Sequence, residues 1–102
     1  MASAEPRIRV RHNRAARRYE AEIEGRLAVA EYELAGDRIV FTHTFVPPEL
    51  RGRGIAGQLV RTALEEARRT GRTIEPRCPY VARFIERHPE YRLLVARGGD
   101  GA

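Results

Sequence analysis

Lysine is absent from this chain and cysteine nearly so. All 19 basic residues are arginine, a bias that GC-rich coding produces on its own, although the planar guanidinium also suits bidentate contact with phosphate. The single cysteine, Cys78, excludes an internal disulfide and leaves either a packed small side chain or a reactive thiol. No apolar run approaches the roughly 20 residues that cross a bilayer, and the first residues contain no apolar signal core. The expectation is therefore no membrane partner and a cytoplasmic location. Three histidines and one cysteine, spaced as they are, do not make a zinc site, and no metal is expected. With 102 residues and no internal repeat, the chain builds one core, not two.

What is present describes a folded domain. Hydrophobic residues make up 42% of the chain and the charges are interspersed with them, which argues against disorder. The net charge of +5 suits nucleic acid or a polyanionic small ligand. The arginines are spread rather than clustered, and the three phenylalanines and four tyrosines form no stacking stripe. Nucleic acid is thus the weakest ligand class for this chain.

Periodicity predicts four antiparallel strands before the one long helix. Arg7 to His12 alternates Ile8 and Val10 with arginines; Arg18 to Glu24 alternates Tyr19, Ala21 and Ile23 with Glu20, Glu22 and Glu24. Glu24-Gly25 signals a tight hairpin to Arg26–Leu34, and Ala35-Gly36-Asp37 turns into Arg38–Val46. A helix is predicted over Ile55–Thr70, with Ile55, Leu59, Val60, Ala63, Leu64 and Ala67 on its core face. Arg61/Glu65 and Glu65/Arg69 are spaced to pair on its wet face, and Gly71 is placed to cap it. Thr73–Arg77 reads as a short strand that Pro76 restricts to an edge. A second helix starts near Pro79, with Val81, Phe84, Ile85 and His88 on one face, and ends at Pro89. Tyr91, Leu93, Leu94 and Val95 add a last packed segment. The expected organisation is a single domain over residues 1–96, with a flexible tail over 97–102.

The chain is organised around Val40 to Thr70, VFTHTFVPPELRGRGIAGQLVRTALEEARRT. A strand breaks at Pro47-Pro48, passes through Arg51-Gly52-Arg53-Gly54-Ile55-Ala56 and opens a helix. The first N–H groups of a helix lack intrahelical acceptors and lie at the positive end of its dipole. Glycines let the backbone approach a phosphate, and arginines add charge around it. Gly52 to Gly57 spells the dinucleotide fingerprint GxGxxG, with Glu75 near the ribose-contact offset. Pro47 to Leu50, however, separate the glycines from the strand, and too little chain follows to complete a doubly wound sheet. That leaves a phosphate-holding turn or a turn made only for geometry.

VPPELRGRGIA resembles the acyl-CoA signature of the GNAT superfamily of N-acetyltransferases, Q/R-x-x-G-x-G/A, with Arg51 first, Gly54 central and Ala56 last. His43-Thr44, Arg77-Cys78-Pro79-Tyr80 and His88-Pro89-Glu90-Tyr91 extend the resemblance to the compact NATD-like, or mini-GNAT, branch, from about Tyr19 to Tyr91. The resemblance implies an α+β fold: a curved, mostly antiparallel sheet, a central helix after the fourth strand, then a short strand and a second helix. It implies acetyl-CoA as cofactor, with Arg51, Gly52, Arg53, Gly54, Ile55 and Ala56 at the pyrophosphate. Thr44, Phe45 and Val46 would offer backbone to the pantetheine arm. This branch lacks the N-terminal helices that build much of the acceptor pocket in longer members.

Two residues are candidates for the chemistry. His43 follows Ile39 and Phe41 at strand spacing, with Phe45 next, and reads either as a core histidine or as a general base, for which imidazole is suited. The resemblance places it near the thioester. Cys78 precedes Pro79 at a helix start, where the dipole favours a thiolate; the resemblance makes it an acyl carrier or a wall of the pocket. The reading is acetyl-CoA-dependent N-acetyltransfer to an amine, catalysed by His43 and Cys78. The alternatives are a CoA-binding domain without catalysis and a small nucleic-acid module. Monomer and homodimer are both compatible with an exposed sheet edge.

Overall fold

The computed structural model describes residues 7–96. The tail expected over 97–102 and the irregular start before residue 7 lie outside the described residues. Four strands, β1 (Arg11–Asn13), β2 (Arg18–Ile23), β3 (Arg26–Ala35) and β4 (Arg38–Phe45), form an antiparallel meander. A 3-10 turn over Pro48–Leu50 leads into α1 (Ile55–Thr70). The chain then adds β5 (Thr73–Pro76), parallel to β4, and α2 (Pro79–Arg87), and closes with a 3-10 segment over Pro89–Leu94. Sheet order follows chain order, β1-β2-β3-β4-β5. The expected α+β architecture is the one found, with the helix after the fourth strand.

Local chemistry explains the turns. Glu24 and Gly25 both take positive φ, 55° and 76°, giving the hairpin connection whose twist matches that of its strands. Asn13 Oδ1 accepts the Ala16 N–H at 3.0 Å and closes the β1–β2 turn. Gly71 ends α1 in the left-handed region, with its N–H on the Ala67 and Arg68 carbonyls.

All six residues predicted for the core face of α1 are buried. They pack over Tyr19, Ala21, Ala28, Ala30 and Phe41 of the sheet. The three alanines let the helix lie close to the strands, and each fully buried leucine or valine contributes about 1.5–3 kcal/mol. At the far end of α1, Glu66 accepts a hydrogen bond from Tyr19 Oη at 2.7 Å and faces His12 Nδ1 at 3.1 Å. His12 Nε2 lies 2.6 Å from Tyr32 Oη. Burial holds the His12 imidazole below its ordinary pKa. Nothing in the sequence singled out His12, because its partners come from three separate elements.

Several local expectations are corrected. The first strand begins only at Arg11 rather than Arg7, since the Ile8 N–H is taken by Gln58 Oε1 of α1 at 3.1 Å. Ile8 and Val10 pack on the core edge instead of pairing in the sheet. Glu20, expected on the wet face, is closed off by Arg11, Asn13 and Arg18 lying over it. Glu65 is taken by Tyr91 Oη and Arg68, each at 2.6 Å, and Arg61 turns to Tyr91 Oη at 3.2 Å. These contacts displace the four-residue pairs expected along the helix. Of the last segment, Tyr91 is fully buried but Leu93 is 94% exposed, because the 3-10 winding turns it outward.

Candidate functional site

The site forms where β4 leaves the sheet. Pairing of β4 with β5 stops at Phe41↔Pro76, while β4 continues to Phe45. Beyond that point the Phe41 carbonyl accepts the Cys78 N–H at 2.9 Å. A β-bulge coincides with the divergence. Glu31 pairs with His43 and Tyr32 with Phe41, so one step along β3 spans two along β4, and Thr42 is the extra residue. A bulge inverts the alternation that follows it. Ile39 and Phe41 are buried, whereas His43 and Phe45 are exposed and Thr44 is half-buried. His43 therefore does not share the face of Ile39 and Phe41, as strict alternation predicted.

Pro47 and Pro48 then prevent further strand pairing, and buried Leu50 anchors the 3-10 turn in the core. Gly52 and Gly54 follow at φ 84° and 77°, a region in which any side chain is strained. A Cβ on Gly52 would meet nothing within 4 Å, so backbone conformation, not space, demands glycine there. Gly54 caps α1 without a side-chain hydrogen bond, and no acidic residue lies in the first turn. The first bond of the helix is Gln58 N–H to the Gly54 carbonyl, 3.2 Å. Earlier N–H groups are thus left for an external acceptor.

These elements enclose a cavity of about 410 Å³ lined by Thr44, Phe45, Val46, Leu50, Arg51, Gly52, Gly54, Ile55, Ala56, Gly57 and Tyr80. An uncapped helix start, two left-handed glycines and Arg51 fit a phosphate-bearing ligand. Arg51 is also structural: its Nε donates to the Val46 carbonyl at 2.8 Å, and its guanidinium lies 5.8 Å from the Phe45 ring.

Arg53 stands apart from the other expected cofactor residues. Its guanidinium donates to Glu24 Oε2 at 3.0 Å and to the Glu49 carbonyl at 3.4 Å, and it is not among the cavity-lining residues. His43 and Cys78 do not line the cavity either. The His43 ring stacks on Phe45, with centroids 6.5 Å apart. Cys78 is buried and begins α2, its carbonyl accepting the Ala82 N–H at 3.0 Å. It adjoins the cavity through Thr44, whose Oγ1 is 3.4 Å from its Sγ.

Leu50, Gly57 and Tyr80 join the site without having been expected in it. Gly57 ends the glycine run, and Tyr80 lies two residues after Cys78 in the Arg77–Tyr80 segment. What brings them in is tertiary: a Cβ on Gly57 would sit 3.5 Å from Tyr80 Oη and 3.7 Å from the Phe84 ring. The bare helix surface lets α2 settle against α1 there.

Known proteins resemble this chain in sequence and in fold. The family model described as GCN5-related N-acetyl-transferase matches residues 18–94. The chain is 38% identical over 85 residues to Protein NATD1 of Bos taurus, covering 80% of this chain and 75% of that one. It is 36% identical to Protein NATD1 of Homo sapiens over 85 residues, at 80% and 75% coverage. Over 90 residues it is 32% identical to Protein NATD1 of Danio rerio, covering 83% and 82%. In three dimensions it resembles the NMR solution structure of a GCN5-like protein of Staphylococcus aureus, with TM-score 0.70, 21% identity and coverage of 87% and 88%. That last likeness speaks for the fold alone. A family match that begins at β2 and ends within the last 3-10 segment spans all but the first strand of the described fold, and this chain belongs to the GCN5-related N-acetyltransferase family.

Proposed function

We propose that the chain is an acetyl-CoA-dependent N-acetyltransferase acting on an amine. The observation that carries this reading is the cavity at the uncapped start of α1, beside the stretch of β4 that runs on past its pairing with β5. Acetyl-CoA, when bound, supplies an acetyl group already activated as a thioester. Arg51, the first N–H groups of α1 and the backbone of Gly52–Ala56 hold its pyrophosphate; Arg53 supports that turn through Glu24. The backbone of Thr44, Phe45 and Val46 would hold the pantetheine arm, and a backbone N–H there would polarise the acyl carbonyl.

His43 takes the proton of the acceptor amine, directly or through one water. Its exposed place beside Phe45 leaves room for an acceptor to approach from solvent. Tyr80 also lines the cavity, and its hydroxyl is the group there that would return a proton to the departing thiolate. Cys78 backs the cavity through Thr44, and its buried thiol supports a wall role over that of an acyl carrier.

The test is calorimetric titration with acetyl-CoA, followed by thiol release against a panel of amines. The wild type is expected to bind. Gly54→Glu, which sets bulk and negative charge in the cradle, is expected not to. His43→Ala is expected to slow transfer by about a hundredfold, with binding kept. One observation favours a second reading: neither His43 nor Cys78 lines the cavity. A CoA-binding domain without transfer would bind acetyl-CoA and release no thiol with any amine offered.

A further inference from the structure

Among the described residues the half-buried arginines are Arg18, Arg38, Arg53 and Arg72. Arg18 lies on Glu20 at 2.7 Å, Arg38 on Glu75 at 3.1 Å and Arg53 on Glu24 at 3.0 Å. Arg72 forms no ion pair with any described residue. Taking a charge out of water without a partner is unfavourable, so the exception calls for a reason. Arg72 follows the cap of α1 and lines a cavity of about 330 Å³ between that end of the helix and the sheet. With 16 residues, α1 is about 24 Å long, and the glycine turn lies at its other end.

The rest of the wall leaves that charge uncancelled. Glu66 is its one carboxylate, and it already holds Tyr19 Oη at 2.7 Å and Arg14 at 3.3 Å. Burial keeps the His12 imidazole below its ordinary pKa and the Tyr32 hydroxyl above its own, so both are neutral near pH 7. The Ala67 carbonyl of the wall is taken by the Arg72 N–H at 3.0 Å. Leu34 and Ile39 add apolar surface. Leu34, 46% exposed, and Arg14, largely in solvent, place the mouth of the cavity at the surface. Its volume is at the small end for ligand pockets, which run to about 300–1,000 Å³.

We propose that this cavity is a second ligand site, taking a small carboxylate with an apolar or aromatic body: the carboxylate on Arg72, the body against Leu34 and Ile39. One free guanidinium matches one carboxylate in a planar, bidentate pair. A phosphate monoester, with close to two charges at neutral pH, would call for more than one. The site stands apart from the cofactor cavity and does not depend on the acetyl-CoA reading.

Amide NMR of the full chain, titrated with benzoate, tests it. Benzoate is expected to give saturable shifts centred on Leu34, Ala67 and Arg72, with a Kd of about 1 mM or tighter. Benzyl alcohol, which has the same ring and no charge, should bind at least about tenfold more weakly, the effect of losing a charge-assisted hydrogen bond. Arg72→Gln keeps the N–H that closes α1 and should weaken benzoate by a similar factor. Arg92→Gln, which removes an exposed charge outside the cavity, should leave benzoate binding within about twofold of the wild type. Shifts that fail to saturate, or that centre elsewhere, would overturn the site. Equal binding of benzoate and benzyl alcohol would overturn the carboxylate class. Equal losses in the two variants would overturn the role of Arg72, by tracing the effect to the net charge of the chain.

Discussion

Thr44 Oγ1 lies 3.4 Å from Cys78 Sγ, linking the end of β4 to the residue that caps α2. With the Cys78 N–H on the Phe41 carbonyl at 2.9 Å, this contact continues the attachment of β4 to the rest of the fold after β5 has stopped pairing. Cys78 thereby backs Thr44, which lines the cavity. Cys78→Ala is expected to cost about 1 kcal/mol of stability, the ordinary scale for losing a small buried side chain and one weak hydrogen bond. Incubation with acetyl-CoA in the absence of acceptor, followed by mass spectrometry, is expected to leave the protein unmodified. An acetyl group found on Cys78 would make it the first acceptor and overturn the wall role.

Gly57 is the third residue of α1, and glycine in a helix costs up to about 1 kcal/mol relative to alanine. A methyl group there would make only ordinary contacts, 3.5 Å to Tyr80 Oη and 3.7 Å to Phe84. Gly57→Ala should therefore raise stability by about 0.5–1 kcal/mol, read as a higher melting temperature. Gly57→Val should do the reverse, since its branched side chain must push α2 away from α1. A lower melting temperature for Gly57→Ala would show that the two helices need a closer approach than these distances indicate.

Arg51 and Arg53 are two residues apart in a turn of matching chemistry, yet their surroundings differ. Arg51 lines the cavity, while Arg53 is spent on Glu24 and the Glu49 carbonyl. Arg51→Gln is expected to weaken acetyl-CoA binding about tenfold, as the loss of one charge-assisted contact would. Arg53→Gln is expected to change it by no more than about twofold, an exposed ion pair being worth under about 1 kcal/mol. Equal losses in the two variants would mean that Arg53 leaves Glu24 to meet the ligand.

Much of this site was legible in the sequence because its parts are local. The strand, the Pro47-Pro48 break, Gly52, Gly54 and the apolar stripe of α1 each act through chain neighbours, and α1 was delimited to the residue. What was not legible depends on register or on partners far along the chain. The extra residue at Thr42 leaves no mark in composition, yet it decides whether His43 faces the core or solvent. Arg7–Val10 alternates as a strand should, but Gln58 captures the Ile8 N–H. Tyr80 becomes part of the site because α2 packs against α1 at Gly57, far off in the sequence. The family resemblance pointed to Thr44, Phe45 and Val46, which do line the cavity; side-chain direction beyond the bulge depends on the register of β3 and β4.

Glu20 shows the same limit and yields a pH prediction. Its carboxylate accepts from Arg11 Nε at 3.1 Å, Arg18 Nε at 2.7 Å and Asn13 Nδ2 at 3.3 Å. Those partners, Arg11 foremost and then Arg18, hold its pKa down from 4.5 to about 2. A carboxyl whose pKa is lower when folded is protonated first in the unfolded chain. Its contribution is therefore complete above about pH 4.5 and is lost as pH falls toward about 2. Glu20→Gln keeps the shape and removes the charge. Its stability should be lower than that of the wild type at about pH 6, and the gap should narrow by about pH 3 as the wild-type advantage is lost. Urea melts of both proteins at the two pH values measure this. Glu65, Glu66 and Glu75 are also held below their ordinary values, so the variant should retain part of the acid dependence. Salt should weaken the Arg11 share, because that guanidinium is largely in solvent. A gap unchanged between the two pH values would mean that Glu20 serves the fold through its shape and hydrogen bonds, with no contribution from its charge.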